Sequence, residues 1–401
     1  MTRDERERKT FMLDSIRMAT DGVGTSLIQT ALLVIAIKVF AASDALKSLL
    51  AAAPHIGQLG ALFVTAALAR HSLRPSRVAG VLGIAGAVAL ATSAFAGEAA
   101  VFTALVTVAL MMFQLRLPFI AAFHELNYPA ERRGRRFSVG LILLIVVSLL
   151  FDLSAGRVLE ENLQWYRGLL AAAAGVLMVG GLAVAAVPSP RSHAVDAANP
   201  FKNLEILRED RLFRRFVIAW FLFGFSNLWT VPLRVVYLAE AERGLGLSPM
   251  TVMVVGGVIP QLTRLAFNRV WAHVFDRVNL VIVRMILVAF LGAGIFIYFL
   301  TEHLPVIIVG QVILNIAFSG GPIFWHLWVT RIAPPGKTSV YMSVHTFMTG
   351  IRGSLAPAIG FLAISGIAFR TIGTISALAI AAAIALLAPL RKDPRAQPPG
   401  G

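Results

Sequence analysis

The chain has 401 residues, 57% of them hydrophobic and 14% charged, and its mean hydropathy of +0.77 excludes an ordinary water-soluble surface. A formal net charge of +15 raises nucleic-acid binding as a question, which the placement of the basic residues answers below. The absence of cysteine removes disulfides, thiolate chemistry and Cys-ligated metals.

Crossing the roughly 30 Å hydrocarbon layer takes about 20 apolar residues in a helix, which satisfies every backbone hydrogen bond internally. The N-terminal segment MTRDERERKTFMLDSIRMATDG is of mixed charge and leads into an apolar stretch, which fits a first anchor better than a cleaved signal. Apolar runs between polar punctuation then predict helices over residues 19–41, 44–68, 78–96, 100–124, 137–154 and 167–187. The polar stretch PSPRSHAVDAANPFKNLEILRED follows, the one loop long enough to act as an interdomain linker. Further runs predict helices over 212–238, 249–271, 279–300, 305–330, 338–364 and 370–390. The expected architecture is an all-α membrane protein of 12 transmembrane helices. Its two six-helix bundles span 1–187 and 212–401, joined by a cytoplasmic linker at 188–211.

Loops that stay in the cytoplasm are rich in Lys and Arg. With both termini inside, the N-tail holds Arg3, Arg6, Arg8, Lys9 and Arg17, and the next inner loops hold Arg70, Arg74 and Arg77, then Arg132, Arg133, Arg135 and Arg136. The opposite side holds only Lys38, Lys47, Arg157, Arg167, Arg243 and Arg370. The basic charge is therefore a topology signal for a multi-pass protein of the cell (inner) membrane. Anionic membrane lipids are its expected partner, and nucleic acid is not.

The halves also align with each other. One offset pairs His71 with His273, His124 with His326, Gly134-Arg135 with Gly336-Lys337, and Gly22 with Gly224, the mark of a parallel repeat. Together with YPAERRGR at residues 128–135, the passage FKNLEILREDRLFRRF, and Gly350, Gly353, Pro357 and Gly360 in the eleventh helix, this makes the chain resemble the major facilitator superfamily (MFS) over essentially its whole length. The resemblance implies alternating access by rocking of two bundles around a central site. That family's loop between its second and third helices carries Gly, Asp, Arg and Gly-Arg-Arg, whereas here ARHSLRPSR keeps only basic residues. The mirror loop AHVFDRVNL keeps Asp276 and Arg277, which the resemblance marks as gating candidates. The Gly-Pro element of the proton-coupled drug antiporters is absent from the fifth helix, FSVGLILLIVVSLLFD, which counts against drug efflux.

A charged residue at the bilayer centre costs about 2.5 to 3.5 kcal/mol on insertion scales, so each must face protein, water or a partner. Arg116 and Arg352 fall near mid-depth and are the leading substrate-binding candidates, since guanidinium favours carboxylates and phosphates. The competing role is a structural ion pair, with Glu125, Asp21 or Asp152 as partner. Asn227, Trp229, Gln261 and Asn315 are further cavity-lining candidates. Asp21, His55 and His345 join Asp276 and Arg277 as coupling or gating candidates, Asp21 for a proton or other ion. Arg234 and Arg264 read as snorkelling from helix ends, and Trp325 and Trp328 as an interfacial belt. No phosphate-binding Gly-x-x-x-x-Gly-Lys-Ser/Thr loop and no His metal spacing occur, so no cofactor, metal site or enzyme activity is expected. The expected function is secondary active transport of a small polar or anionic organic metabolite. Efflux of amphiphilic drugs is the alternative, and a membrane-embedded lipid enzyme or transporter-like receptor is the alternative of another class.

Overall fold

The computed structural model describes residues 2–68, 73–191, 200–334 and 337–397, and its regular elements are helices. Helix α1 (Arg3–Ser26) starts at a capping box: the Thr2 hydroxyl accepts from the Glu5 backbone N–H, and the Glu5 carboxylate accepts from the Thr2 backbone N–H. It therefore begins far ahead of residue 19, where hydropathy alone starts it, and the charged N-terminal segment is helical. A π turn at Leu27–Ala31 carries it into α2 (Leu32–Lys38). Next come α3 (Asp44–Leu68) and α4 (Pro75–Ser93).

The fourth predicted span is broken into α5 (Ala99–Leu115) and α6 (Leu117–Asn127). Pro118 lacks the N–H that would continue the ladder, so the helix parts at Arg116. Helix α7 (Ala130–Glu161) outruns its prediction of 137–154 at both ends, which moves Asp152 from the margin into the helix interior. Helix α8 (Tyr166–Ala185) and the short α9 (Pro200–Asn203) and α10 (Ile206–Glu209) follow.

Then come α11 (Arg211–Ala239), α12 (Pro249–Met253), a second π turn at Val254–Val258, and α13 (Ile259–Arg277). The chain ends in α14 (Leu280–Leu300), α15 (Leu304–Ile332), α16 (Thr338–Ala363) and α17 (Phe369–Leu387). Among the described residues, 10 helical runs are long and apolar enough to cross a membrane. Helices α3 and α16 are comparably long at 25 and 26 residues.

The chain divides into two compact units, residues 1–197 with 238–258, and residues 198–237 with 259–401. In the first, α4 packs on α8, α1 on α7 and α3 on α5. Gly80 makes the α4–α8 approach possible, because a Cβ there would run into the Ala185 backbone. In the second, α14 packs on α15 and α17, and α13 on α15.

Residues 238–258 belong to the first unit because α12 and the π turn after it pack on α7, and ion pairs add to that packing. Arg243 forks onto both carboxylate oxygens of Asp44 at 2.7 Å, and Lys47 bonds Glu240. The paired glycines Gly22 and Gly224 are both sites of close approach, Gly22 to the α7 backbone at Leu144 and Ser148, Gly224 to the Arg352 guanidinium. Of the other repeat pairs, His71 and Gly336 lie outside the described residues, as do the side chains of Arg135 and His326.

Candidate functional site

The first unit holds a compensated chain of buried charges. Asp14 accepts from Arg17 Nε at 2.7 Å and pairs with His124 Nε2 at 2.8 Å. Arg17 then reaches Asp21 through Nη1 at 2.7 Å, and Asp21 accepts from Arg116 Nη2 at 2.5 Å. Arg17 and Asp21 sit one turn apart on α1, which is what lets a single helix present alternating signs. Arg116 reaches them from the α5–α6 break, where its Nε also donates to the Phe113 carbonyl.

Of the partners open to Arg116 from sequence, Asp21 is the one it takes. Glu125 is exposed, and Asp152 is buried on α7 and accepts from Ser26. Two readings are corrected here. Arg17 is buried, not part of a solvated tail, and Asp21 lies deep in α1, not close to its N-terminus.

The second unit holds a different arrangement, centred on Trp220 of α11. Arg352, 6% exposed on α16, donates from Nη1 to the Trp220 carbonyl at 2.5 Å. Arg284, 7% exposed on α14, lays its guanidinium over the Trp220 ring at 3.8 Å, with Phe223 at 4.3 Å and Phe324 at 4.8 Å. His345 of α16 meets the Trp220 ring edge-on at 4.5 Å and Trp328 at 5.0 Å. Arg284 and Arg352 are thus both held against Trp220, one at its ring and the other at its carbonyl. Neither makes an ion pair among the described residues, and the Nε of each is buried without a hydrogen-bond acceptor.

Sequence reasoning missed Arg284. Four residues into a hydrophobic run it reads as an interfacial residue, and only the aromatic side chains of α11 and α15 reveal that it is enclosed. Trp328 is likewise no belt residue. It is fully buried and stacks with Phe213, Phe216 and Trp220. Arg234 and Arg264 do not snorkel from helix ends as expected. Arg234 is buried in α11, Arg264 lies inside the continuous run from α12 to α13, and both guanidiniums face the Phe318 ring.

The remaining candidates are scattered. Trp229 donates its indole N–H to Ser376 of α17 at 2.7 Å and acts as a helix-to-helix tie. Asn227 is buried with its side-chain oxygen lacking a donor, as is that of Asn315, whose Nδ2 bonds the Gln311 carbonyl. Gln261 is buried on α13. His55 of α3 pairs with Gln58 one turn along its own helix at 3.2 Å. Asp276 and Arg277 occupy the last turn of α13, Arg277 exposed, while the Asp276 side chain lies outside the described residues, as do those of Pro322 and Trp325. The structure thus brings Arg352 and His345 together, and separately Arg116 and Asp21.

A sequence profile of the Major Facilitator Superfamily matches residues 18–357. The chain belongs to this superfamily. Its members' folds match accordingly. The nucleoside transporter NupG aligns with a TM-score of 0.71 at 13% identity, covering 96% of this chain and 99% of that one. A D-xylose-proton symporter gives 0.70 at 17%, covering 94% and 96%. The peptide transporter POT, in complex with alafosfalin, gives 0.66 at 15%, covering 98% and 99%. Identities this low carry the fold alone. No curated protein sequence matches the chain. Superfamily membership and the apolar helices make it a multi-pass integral membrane protein and a transporter.

Proposed function

We propose that the chain is a secondary transporter moving a small polar or anionic organic solute across the cell membrane by alternating access, with both termini cytoplasmic. The observation that carries the reading is the contrast in buried charge. Arg116 and Arg17 share carboxylates in the first unit, whereas Arg284 and Arg352 in the second have none among the described residues. An interior left positive favours an anionic or strongly hydrogen-bonding solute.

Asp21 is the coupling residue in this reading. It bonds both Arg17 and Arg116, so it is the carboxylate that ties α1 to the α5–α6 break, and losing its charge leaves Arg116 unpaired while Arg17 keeps Asp14. The structurally similar D-xylose-proton symporter lends support to a proton as the coupled ion.

Flux in proteoliposomes tests this. Labelled organic anions are expected to enter faster than neutral or cationic solutes of similar size. Asp21→Asn is expected to keep exchange but lose accumulation driven by a pH gradient. Transport confined to cationic amphiphiles would replace this reading with drug efflux.

A further inference from the structure

We propose that Arg284 and Arg352 together form an oxyanion subsite beside Trp220, taking the carboxylate or phosphate group of the transported solute. The inference deepens the transport reading above and rests on it.

Trp220, Phe223 and Phe324 surround the Arg284 guanidinium carbon at 3.8, 4.3 and 4.8 Å, and none of these rings offers an oxygen acceptor to its N–H donors. Its Nε is buried without an acceptor, and no carboxylate among the described residues pairs with it. Arg352 is anchored by one N–H on the Trp220 carbonyl, which leaves its own Nε unsatisfied. Gly224 is what lets the guanidinium lie against α11, since a Cβ there would overlap it.

Two guanidiniums on different helices, α14 and α16, are therefore fixed against one indole, one by its ring and one by its carbonyl. The unit's described carboxylates lie elsewhere in the chain, Glu205, Glu209 and Asp210 just ahead of α11, Glu302 between α14 and α15, and Asp393 near the C-terminus. His345 packs against the same indole and adds no negative charge. Two enclosed guanidiniums, each with an unsatisfied Nε and neither with a carboxylate among the described residues, lack one component. The planar fork of N–H donors fits a carboxylate or phosphate better than a spherical halide.

The test is ligand-dependent thermal stabilisation of the purified full-length protein. Sodium benzoate, sodium acetate and sodium phosphate are compared with sodium chloride at equal ionic strength, with uridine and tetraphenylphosphonium as neutral and cationic probes. At least one oxyanion is expected to stabilise the protein beyond chloride, with benzoate against phosphate separating an organic acid from a free inorganic anion. Arg284→Gln and Arg352→Gln are each expected to weaken that response by about tenfold or more, and Arg116→Gln by far less. Arg284→Lys guards against misfolding, because it keeps the charge but loses the fork and is expected to weaken oxyanions while leaving the chloride response unchanged.

An oxyanion response that survives both glutamine variants overturns the subsite but leaves anion transport standing. An equal response to chloride overturns the forked geometry. No oxyanion response, with stabilisation by uridine or tetraphenylphosphonium instead, overturns the subsite and the solute class together.

Discussion

At the scale of single residues, Asp21 and Gly224 carry the sharpest expectations. Asp21 is the carboxylate between two buried guanidiniums, so Asp21→Asn leaves Arg116 without its carboxylate and Arg17 with Asp14 alone, and is expected to lower unfolding stability by about 3 kcal/mol. Arg116→Gln removes one of them, and the double variant should lose clearly less than the sum of the two singles. Additive losses in a denaturation series would show that the pair is not coupled. Gly224→Ala keeps every charge yet places a methyl group on the Arg352 guanidinium. It is expected to abolish the oxyanion response while transport-independent folding, judged by elution as a single monodisperse species, is retained. Sequence carried part of this picture. It offered Asp21 among three partners for Arg116, because a deep arginine needs an acceptor and few are within reach along the chain. It could not offer Arg284, whose enclosure depends on Trp220 and Phe324, residues remote in sequence and brought together by packing alone.

At the scale of elements, hydropathy located the apolar helix bodies and misjudged their ends. Window averages see the charged start of α1 as a tail, although Thr2 and Glu5 spell a capping signal three residues apart. The π turns at Leu27–Ala31 and Val254–Val258 carry no proline and no charge, so nothing in composition separates them from α-helix. The foot of α11 shows what such ends do. Asp210 caps the helix by accepting from the Phe213 N–H at 3.0 Å, and it also accepts from Tyr341 at 2.9 Å and from both Nη atoms of Arg395 at 2.8 and 3.2 Å. Burial alone would raise the Asp210 carboxyl, but these hydrogen bonds from Arg395, Phe213 and Tyr341 outweigh it and hold the group below its ordinary value. A depressed carboxylate contributes stability that is present above its unfolded pKa and is lost as pH falls through the folded one. Stability contributed by this knot should therefore be constant from neutral pH down to the ordinary carboxylate range and vanish only below it. Asp210→Asn is expected to lose about 1 kcal/mol at pH 7, the modest size reflecting an Arg395 side chain that is 39% exposed. The wild-type and variant unfolding curves should converge in strong acid. A difference that grows on acidification would contradict the assignment.

For the molecule as a whole, the two units treat buried arginine in opposite ways, and that contrast predicts opposite signs for similar substitutions. Removing Arg116 from the first unit breaks a satisfied pair and strands Asp21 with fewer donors, which destabilises. Removing Arg284 from the second takes an unpaired charge out of an aromatic enclosure. Arg284→Met, which keeps length and fills the space with an apolar chain, is expected to raise the unfolding midpoint of the ligand-free protein, by about 1 to 3 kcal/mol of stability. The same variant should be inactive in transport, because the strain it removes is the affinity for the anion. Stability gained at the expense of activity is the signature of a binding residue, whereas a guanidinium held only for its stacking on Trp220, Phe223 and Phe324 would lower stability when removed. Measured without ligand, Arg116→Gln and Arg284→Met should therefore move the midpoint in opposite directions. A shift downward in both would place Arg284 among the structural residues and leave the positive interior of the second unit without a functional reading.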